Sequence, residues 1–163
     1  MYIKKITFFT ILLFINIGFA QENIEVEKKY TKEIQRFVKN KKIKAAFSKI
    51  EELEPKTMER HILLTEIDAP PFKEAKRAAV FAKYFKEMGV DSLWIDMEGN
   101  VIGLLKGTEG KRTVALDAHL DTVFPEGTDV KVSIKNDTLF APGIGDDTRG
   151  LSILLTVLET IKT

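Results

Sequence analysis

The 163-residue chain has no cysteine and only two histidines, His61 and His119. Without cysteine there are no disulfides, no thiolate metal ligands, no cysteine nucleophile and no lipidated cysteine at the start of a mature chain. A metal site must therefore be built from imidazole and carboxylate. Charge of one sign is also lacking: 25 Lys and Arg stand against 24 Asp and Glu. That balance gives no electrostatic case for a nucleic-acid or acidic-polymer partner, so no nucleic-acid partner is expected. There is no internal repeat and no low-complexity linker. The composition that remains, 44% hydrophobic and 30% charged, suits one ordinary globular domain and is too short for two large ones.

Long hydrophobic runs are confined to the start. Lys4 and Lys5 precede an almost wholly apolar stretch over residues 6–17, and Gly18 and Ala20 put small residues at the two positions that a signal peptidase reads. A spanning helix needs roughly 20 apolar residues. The stretch is shorter and ends in Gln21, Glu22 and Asn23, so residues 1–20 read as a cleaved export signal, with an uncleaved anchor as the alternative. Cleavage removes two lysines and no acid, leaving 23 basic and 24 acidic side chains and no stable membrane span. A periplasmic or secreted location follows, and the lack of cysteine is compatible with it.

From residue 22 to about 54 there is no Gly or Pro, and apolar residues recur at helical spacing. Ile34, Phe37 and Val38 form one face; Ile43, Ala46, Phe47 and Ile50 continue it beyond a polar break over residues 39–42, which predicts two helices. Pro55 is expected to open a third, ending near Ile67. The segment Ala69, Pro70, Pro71 reads as extended, because proline biases the preceding residue away from helix. A helix over about 72–88 carries Ala75, Ala78, Ala82 and Phe85 on one stripe and stops at Gly89.

Alternating strands follow. Residues 93–97 and 100–105 flank Glu98 and Gly99 as a hairpin; residues 113–119 are apolar enough for a strand buried in a sheet; residues 130–134 and 138–140 form a second pair around Lys135, Asn136 and Asp137. A last helix begins near Asp147 or Thr148 with Leu151, Leu154, Leu155, Leu158 and Ile161 on its stripe, and runs to Thr163 without a glycine cap. This order predicts an α/β fold with a helix-flanked, mixed but mostly parallel sheet whose last helix leads into another strand. The domain is thus expected to be incomplete at this length.

The chemistry-bearing residues fall in two segments: Asp117, His119 and Asp121 at a strand end, and Asp146 with Asp147 in the Gly-rich turn Gly143-Ile144-Gly145 before the last helix. Residues two apart on a strand share a face, so His119 and Asp121 project together with Asp117 one pleat earlier. A carboxylate bonded to one imidazole nitrogen fixes the tautomer and leaves the other nitrogen for a divalent metal. By themselves these residues leave other readings open. A buried His bonded to Asp is common, an Asp pair before a helix is often a plain N-cap, and His61 reads as a surface or core histidine. The combination of a strand end with a strand-to-helix turn favours a site, since α/β active sites lie at the carboxyl ends of strands.

Ala118-His119-Leu120-Asp121-Thr122-Val123, followed by residues 139–150 (Leu-Phe-Ala-Pro-Gly-Ile-Gly-Asp-Asp-Thr-Arg-Gly), resembles the two N-terminal metal-site motifs of the zinc exopeptidases of family M20, which holds aminopeptidases, carboxypeptidases and aminoacylases. The resemblance extends upstream through Leu63, Leu64, Thr65, Glu66 and Ile67, the Ala69-Pro70-Pro71 loop, Glu74 and the first hairpin. It implies that His119 binds one of two zincs, that Asp121 orients His119, and that Asp146 bridges both metals. It also implies a cis bond between Asp146 and Asp147. In such enzymes a zinc-bound water attacks an amide carbonyl, so the substrate implied is a peptide or an N-acyl amino acid.

The resemblance places the Glu-Glu pair, the remaining ligands and an inserted dimerisation domain after Thr163. Glu51-Glu52 lies too early in the order to be that pair, and Thr148-Arg149 departs from the lysine and small residue common at that point. The organisation expected is therefore a signal over 1–20, a helical lead over 21–58 and the front of a catalytic domain over 59–163, inactive by itself, with homodimerisation through the inserted domain. A related M28-type aminopeptidase shares the fold and an Asp-Asp turn; Gly-Ile-Gly-Asp-Asp and the early Ala-Pro-Pro loop fit M20 better. A non-catalytic exported binding domain is the alternative from another class.

Overall fold

The computed structural model describes residues 26–162; the export signal read over residues 1–20 lies outside them. The chain divides into two units, with the boundary between Asn40 and Lys41. Among the described residues of the first, helix α1 (Lys28–Lys39) ends where Asn40 turns extended, and none of its side chains is buried. The break expected between two helices thus falls at Asn40.

In the second unit, α2 spans Lys41–Thr65 as one helix with Pro55 inside it, rather than ending so that Pro55 can open another. Proline cannot give the hydrogen bond that the carbonyl four residues earlier awaits. Both Pro55 and Glu51 are exposed, so water is available to that carbonyl. Beyond Pro55 the helix is held by packing, since Thr57, Arg60, His61, Leu64 and Thr65 are all buried.

The core gathers Leu64 of α2, Phe81 and Phe85 of α3 (Ala75–Glu87), and Leu151 and Leu155 of α4 (Thr148–Ile161). The buried face of α3 comprises Arg77, Ala78, Phe81 and Phe85. Ala75, expected on that face, is exposed. The rotation brings an arginine into the interior in place of an alanine. Helices α2 and α4 run antiparallel, as the hydroxyl pairs Thr57–Thr156 at 2.6 Å and Thr65–Thr148 at 2.7 Å require. At one end Glu159 accepts from Arg60 and from Lys56.

Both predicted hairpins form. Strand β1 (Ser92–Ile95) pairs antiparallel with β2 (Val101–Leu104), and β3 (Ser133–Lys135) with β4 (Thr138–Phe140). The first is closed by Asp96, whose carboxylate accepts the N–H groups of Glu98 and Asn100. The second turns through Asn136 and Asp137, both at positive φ, the conformation that two-residue hairpin turns favour and that Asn and Asp tolerate.

The mostly parallel sheet does not form among the described residues. Residues 113–119 run without a strand partner, with Val114 82% and Leu116 58% exposed. A hairpin needs only a local turn, whereas a parallel ladder needs a crossover to a second, separately positioned strand. The described residues contain no such strand. The architecture is thus mixed α/β: three packed helices with two antiparallel hairpins.

Leu155 is fully buried in the core cluster. Leu155→Ala is expected to lower unfolding free energy by about 2–5 kcal/mol, measured by urea denaturation.

Candidate metal centre

The segment bearing His119 is placed from beneath. The Arg77 side chain, 1% exposed, donates from Nη1 to the Leu120 carbonyl and from Nη2 to the Ile67 carbonyl, both at 2.6 Å. Burial draws its pKa down, and the nearby carboxylates of Asp68 and Asp121 oppose that. One residue beyond Asp121, the Thr122 N–H donates to Ala69 at 2.9 Å. The proline loop and the His119 segment are thereby joined.

Asp146 and Asp147 sit at the start of α4, and the peptide bond between them is cis, the isomer implied by the resemblance. Asp147 is the N-cap: its Oδ1 accepts from the Gly150 N–H at 3.0 Å, satisfying a donor that the first helical turn leaves open. Its Oδ2 accepts from the His119 N–H at 3.2 Å. One carboxylate therefore ties the His119 segment to the helix end. A Cβ at position 150 would lie 2.1 Å from Asp147 Oδ1, and one at 143 would lie 2.7 Å from Thr122 Cγ2. Gly143 also has φ +75°, a region that costs other residues strain.

These restraints bring His119, Asp121 and Asp146 together. The His119 Nδ1 lies 2.9 Å from the backbone oxygen of Asp121 and 3.1 Å from its Oδ1. A backbone oxygen only accepts, so Nδ1 carries the hydrogen. Nε2 is then the nitrogen left for another partner, and it faces Asp146 Oδ1 at 2.8 Å. A bare imidazole lone pair opposite a carboxylate requires a cation between them. In the metal-free chain a proton meets this need: the bond to Asp146 raises the His119 pKa, burial works against it, and Asp121 adds to the rise. The imidazole and both carboxylates are open to solvent, with His119 47%, Asp121 42% and Asp146 87% exposed.

The donor chemistry suits zinc, which takes imidazole nitrogen and carboxylate oxygen. The donor number falls short, because no group of three or more candidate ligands converges among the described residues. Asp117 is exposed and is not a partner of His119.

The interior holds polar residues to which sequence patterning assigned no role; His61, read as a surface or core histidine, lies in the core. His61 is 5% exposed, with its Nε2 2.6 Å from the Ile144 carbonyl in the Asp146 turn. Burial lowers its pKa, and Arg149 adds to that effect. The Ile144 bond and Glu54 oppose it. Arg77 was hidden inside an apparently alanine-lined helix face. No local signal marks either residue, because both act through carbonyls distant in sequence.

No helix among the described residues is long and apolar enough to cross a membrane.

The comparisons with known proteins fall in with this geometry: they support a zinc-exopeptidase-like α/β chain. The family model described as peptidase family M28 matches residues 100–163, which include His119, Asp121 and Asp146. The protein named uncharacterized protein YqjE of Bacillus subtilis (strain 168) is 30% identical over 120 residues, 67% of this chain and 32% of that protein. Carboxypeptidase G2 of Pseudomonas sp. (strain RS-16) is 34% identical over 65 residues, 39% of this chain and 15% of that enzyme. The chain thus spans about a third or less of these relatives. The family matched is M28, the one that the motifs alone placed behind M20.

Two outcomes are expected. Asp147→Ala should lower stability by about 1–2 kcal/mol, as loss of an N-cap does, and should speed hydrogen exchange at the His119 amide. For His61, the unfolded chain takes up a proton near pH 6.5 while the folded chain resists it. Its stabilising effect is therefore complete above about pH 6.5 and fades as pH falls below that value. The raised pKa of His119 acts above pH 6.5, so the two separate. Thermal unfolding between about pH 6.5 and 5.5 should fall more steeply for the native chain than for His61→Gln.

Proposed function

We propose that this chain supplies the His119–Asp146 limb of a dinuclear zinc site in an exported exopeptidase or amidohydrolase that cleaves peptide or N-acyl-amino-acid amide bonds. The observation that carries the reading is the placement of His119: Nδ1 is occupied by Asp121, and Nε2 is turned onto the solvent-open carboxylate of Asp146. His119 and Asp146 are the two side chains that would hold metal. Bound metal would supply Lewis acidity to the scissile carbonyl and lower the pKa of an attacking water.

The remaining roles belong to the chain's own groups. Asp121 accepts from Nδ1, which fixes the ring and its tautomer. Asp147 holds the backbone of His119 against the start of α4. The carboxylate of Asp146, 87% exposed, has a second oxygen for a second cation. Export rests on residues 1–20, and homodimerisation on the resemblance.

Within this class, the M20 motifs and the early Ala-Pro-Pro loop favour an M20-like enzyme. The second reading, an M28-type aminopeptidase, is favoured by the match over residues 100–163 and fits at least as well.

Titration calorimetry with Zn²⁺ tests the site. The chain should bind zinc weakly, and binding should vanish in His119→Ala and in Asp146→Asn, with Glu126→Gln unaffected. Equal binding by the native chain and His119→Ala would refute the assignment.

A further inference from the structure

The turn that presents Asp146 has little holding it from outside. A Cβ added at Gly145 would meet no atom within 4 Å, and Asp146 itself is 87% exposed. Within the turn, the Ile144 N–H reaches Ala141 at 3.3 Å. The other restraints converge on carbonyls. The Thr148 hydroxyl donates to the Gly143 and Ile144 carbonyls at 3.0 and 3.2 Å, and its oxygen also lies 2.7 Å from the Thr65 hydroxyl, which donates to the His61 carbonyl. The second contact to the Ile144 oxygen comes from helix α2, where His61 Nε2 lies at 2.6 Å. A carbonyl has two acceptor sites, and both at Ile144 are thereby filled, two residues before Asp146.

This use of histidine has a cost. With Nε2 donating, Nδ1 is an acceptor, and it is buried with no hydrogen-bond partner among the described residues. Such an orphan is unfavourable, and an apolar side chain would fill the same space without it. The imidazole is accounted for by the bond it gives. Its carbonyl partner is 83 residues away in sequence and belongs to the Asp146 turn.

We propose that His61 is a positioning residue for the metal site: its Nε2–H, through the Ile144 carbonyl, holds the turn in the conformation that directs Asp146 at His119. The inference rests on the reading of Asp146 as a metal ligand. His61 touches neither metal nor substrate; it acts through the backbone.

Three forms of the chain test it: native, His61→Phe, which fills the space without a donor, and His61→Gln, which keeps an N–H. In the metal-free state, the Ile144 amide should exchange about tenfold faster in His61→Phe, while amides around Leu155 stay protected. Co²⁺ titration followed by its visible absorption should show affinity about 10- to 100-fold weaker in His61→Phe, the range for lost outer-shell partners, with most of it recovered in His61→Gln. Unchanged exchange, or unchanged Co²⁺ affinity in His61→Phe, overturns the proposal. So does equal loss in both variants, since the donor would then not be the cause. If the native chain binds no Co²⁺, the metal-site reading fails, and the exchange comparison alone decides whether His61 holds the turn.

Discussion

Helix α4 lies antiparallel on α2 along a seam whose middle is apolar, at Leu64, Leu151 and Leu155, and whose ends are joined by threonine hydroxyls. The pair Thr65–Thr148 is the critical end, because Thr148 is the first residue of α4. Once α4 is seated there, Asp147 is at its N-cap and Asp146 is one residue outside the helix. The apolar contacts supply most of the drive to bury this seam. Its hydroxyls add register, since a hydrogen bond at 2.7 Å does not survive a slip of one helical turn.

Several of the buried polar residues around that seam lie beneath the candidate site. Arg77 and His61 each come from a different helix and each grip a carbonyl near a candidate site residue, Leu120 next to His119 and Asp121, and Ile144 two residues before Asp146. Thr122 grips Ala69 through its backbone. All three carry an unpartnered buried atom among the described residues: Nε, Nδ1 and Oγ1 respectively. Loops can hold reactive groups in register only when a rigid scaffold fixes their backbone, and here the fixing is done by buried donors. The same loops tolerate little change of shape, as the close approaches at Gly143 and Gly150 indicate.

Much of this was legible in the sequence wherever the determinant is local. The last helix follows from Leu151, Leu154, Leu155 and Leu158 at helical spacing; the second hairpin follows from Asn136 and Asp137. His119 stands out because the chain has only two histidines, and Asp121 and Asp146 stand out by the motifs in which they lie. Three readings failed for reasons that are not local. Pro55 is accommodated inside α2 because its surroundings are exposed to water. Ala75 loses its place on the buried face because Arg77 has carbonyl partners inside. Residues 113–119 find no strand partner among the described residues, although their apolar side chains suit one.

The sequence by itself determined the donors, their order along the chain, and the turn and helix signals that bracket them, all matters of residue chemistry and short-range periodicity. Only the tertiary structure decided that His119 Nε2 faces Asp146, that Asp147 serves both the helix and the His119 backbone, and that His61 and Arg77 lie inside as hydrogen-bond donors. The physical reason is that the contacts made by His119 and His61 join residues from 27 to 83 positions apart, and those of Arg77 span 43 and 10. Packing determines which of them meet, and no local period in the chain records it.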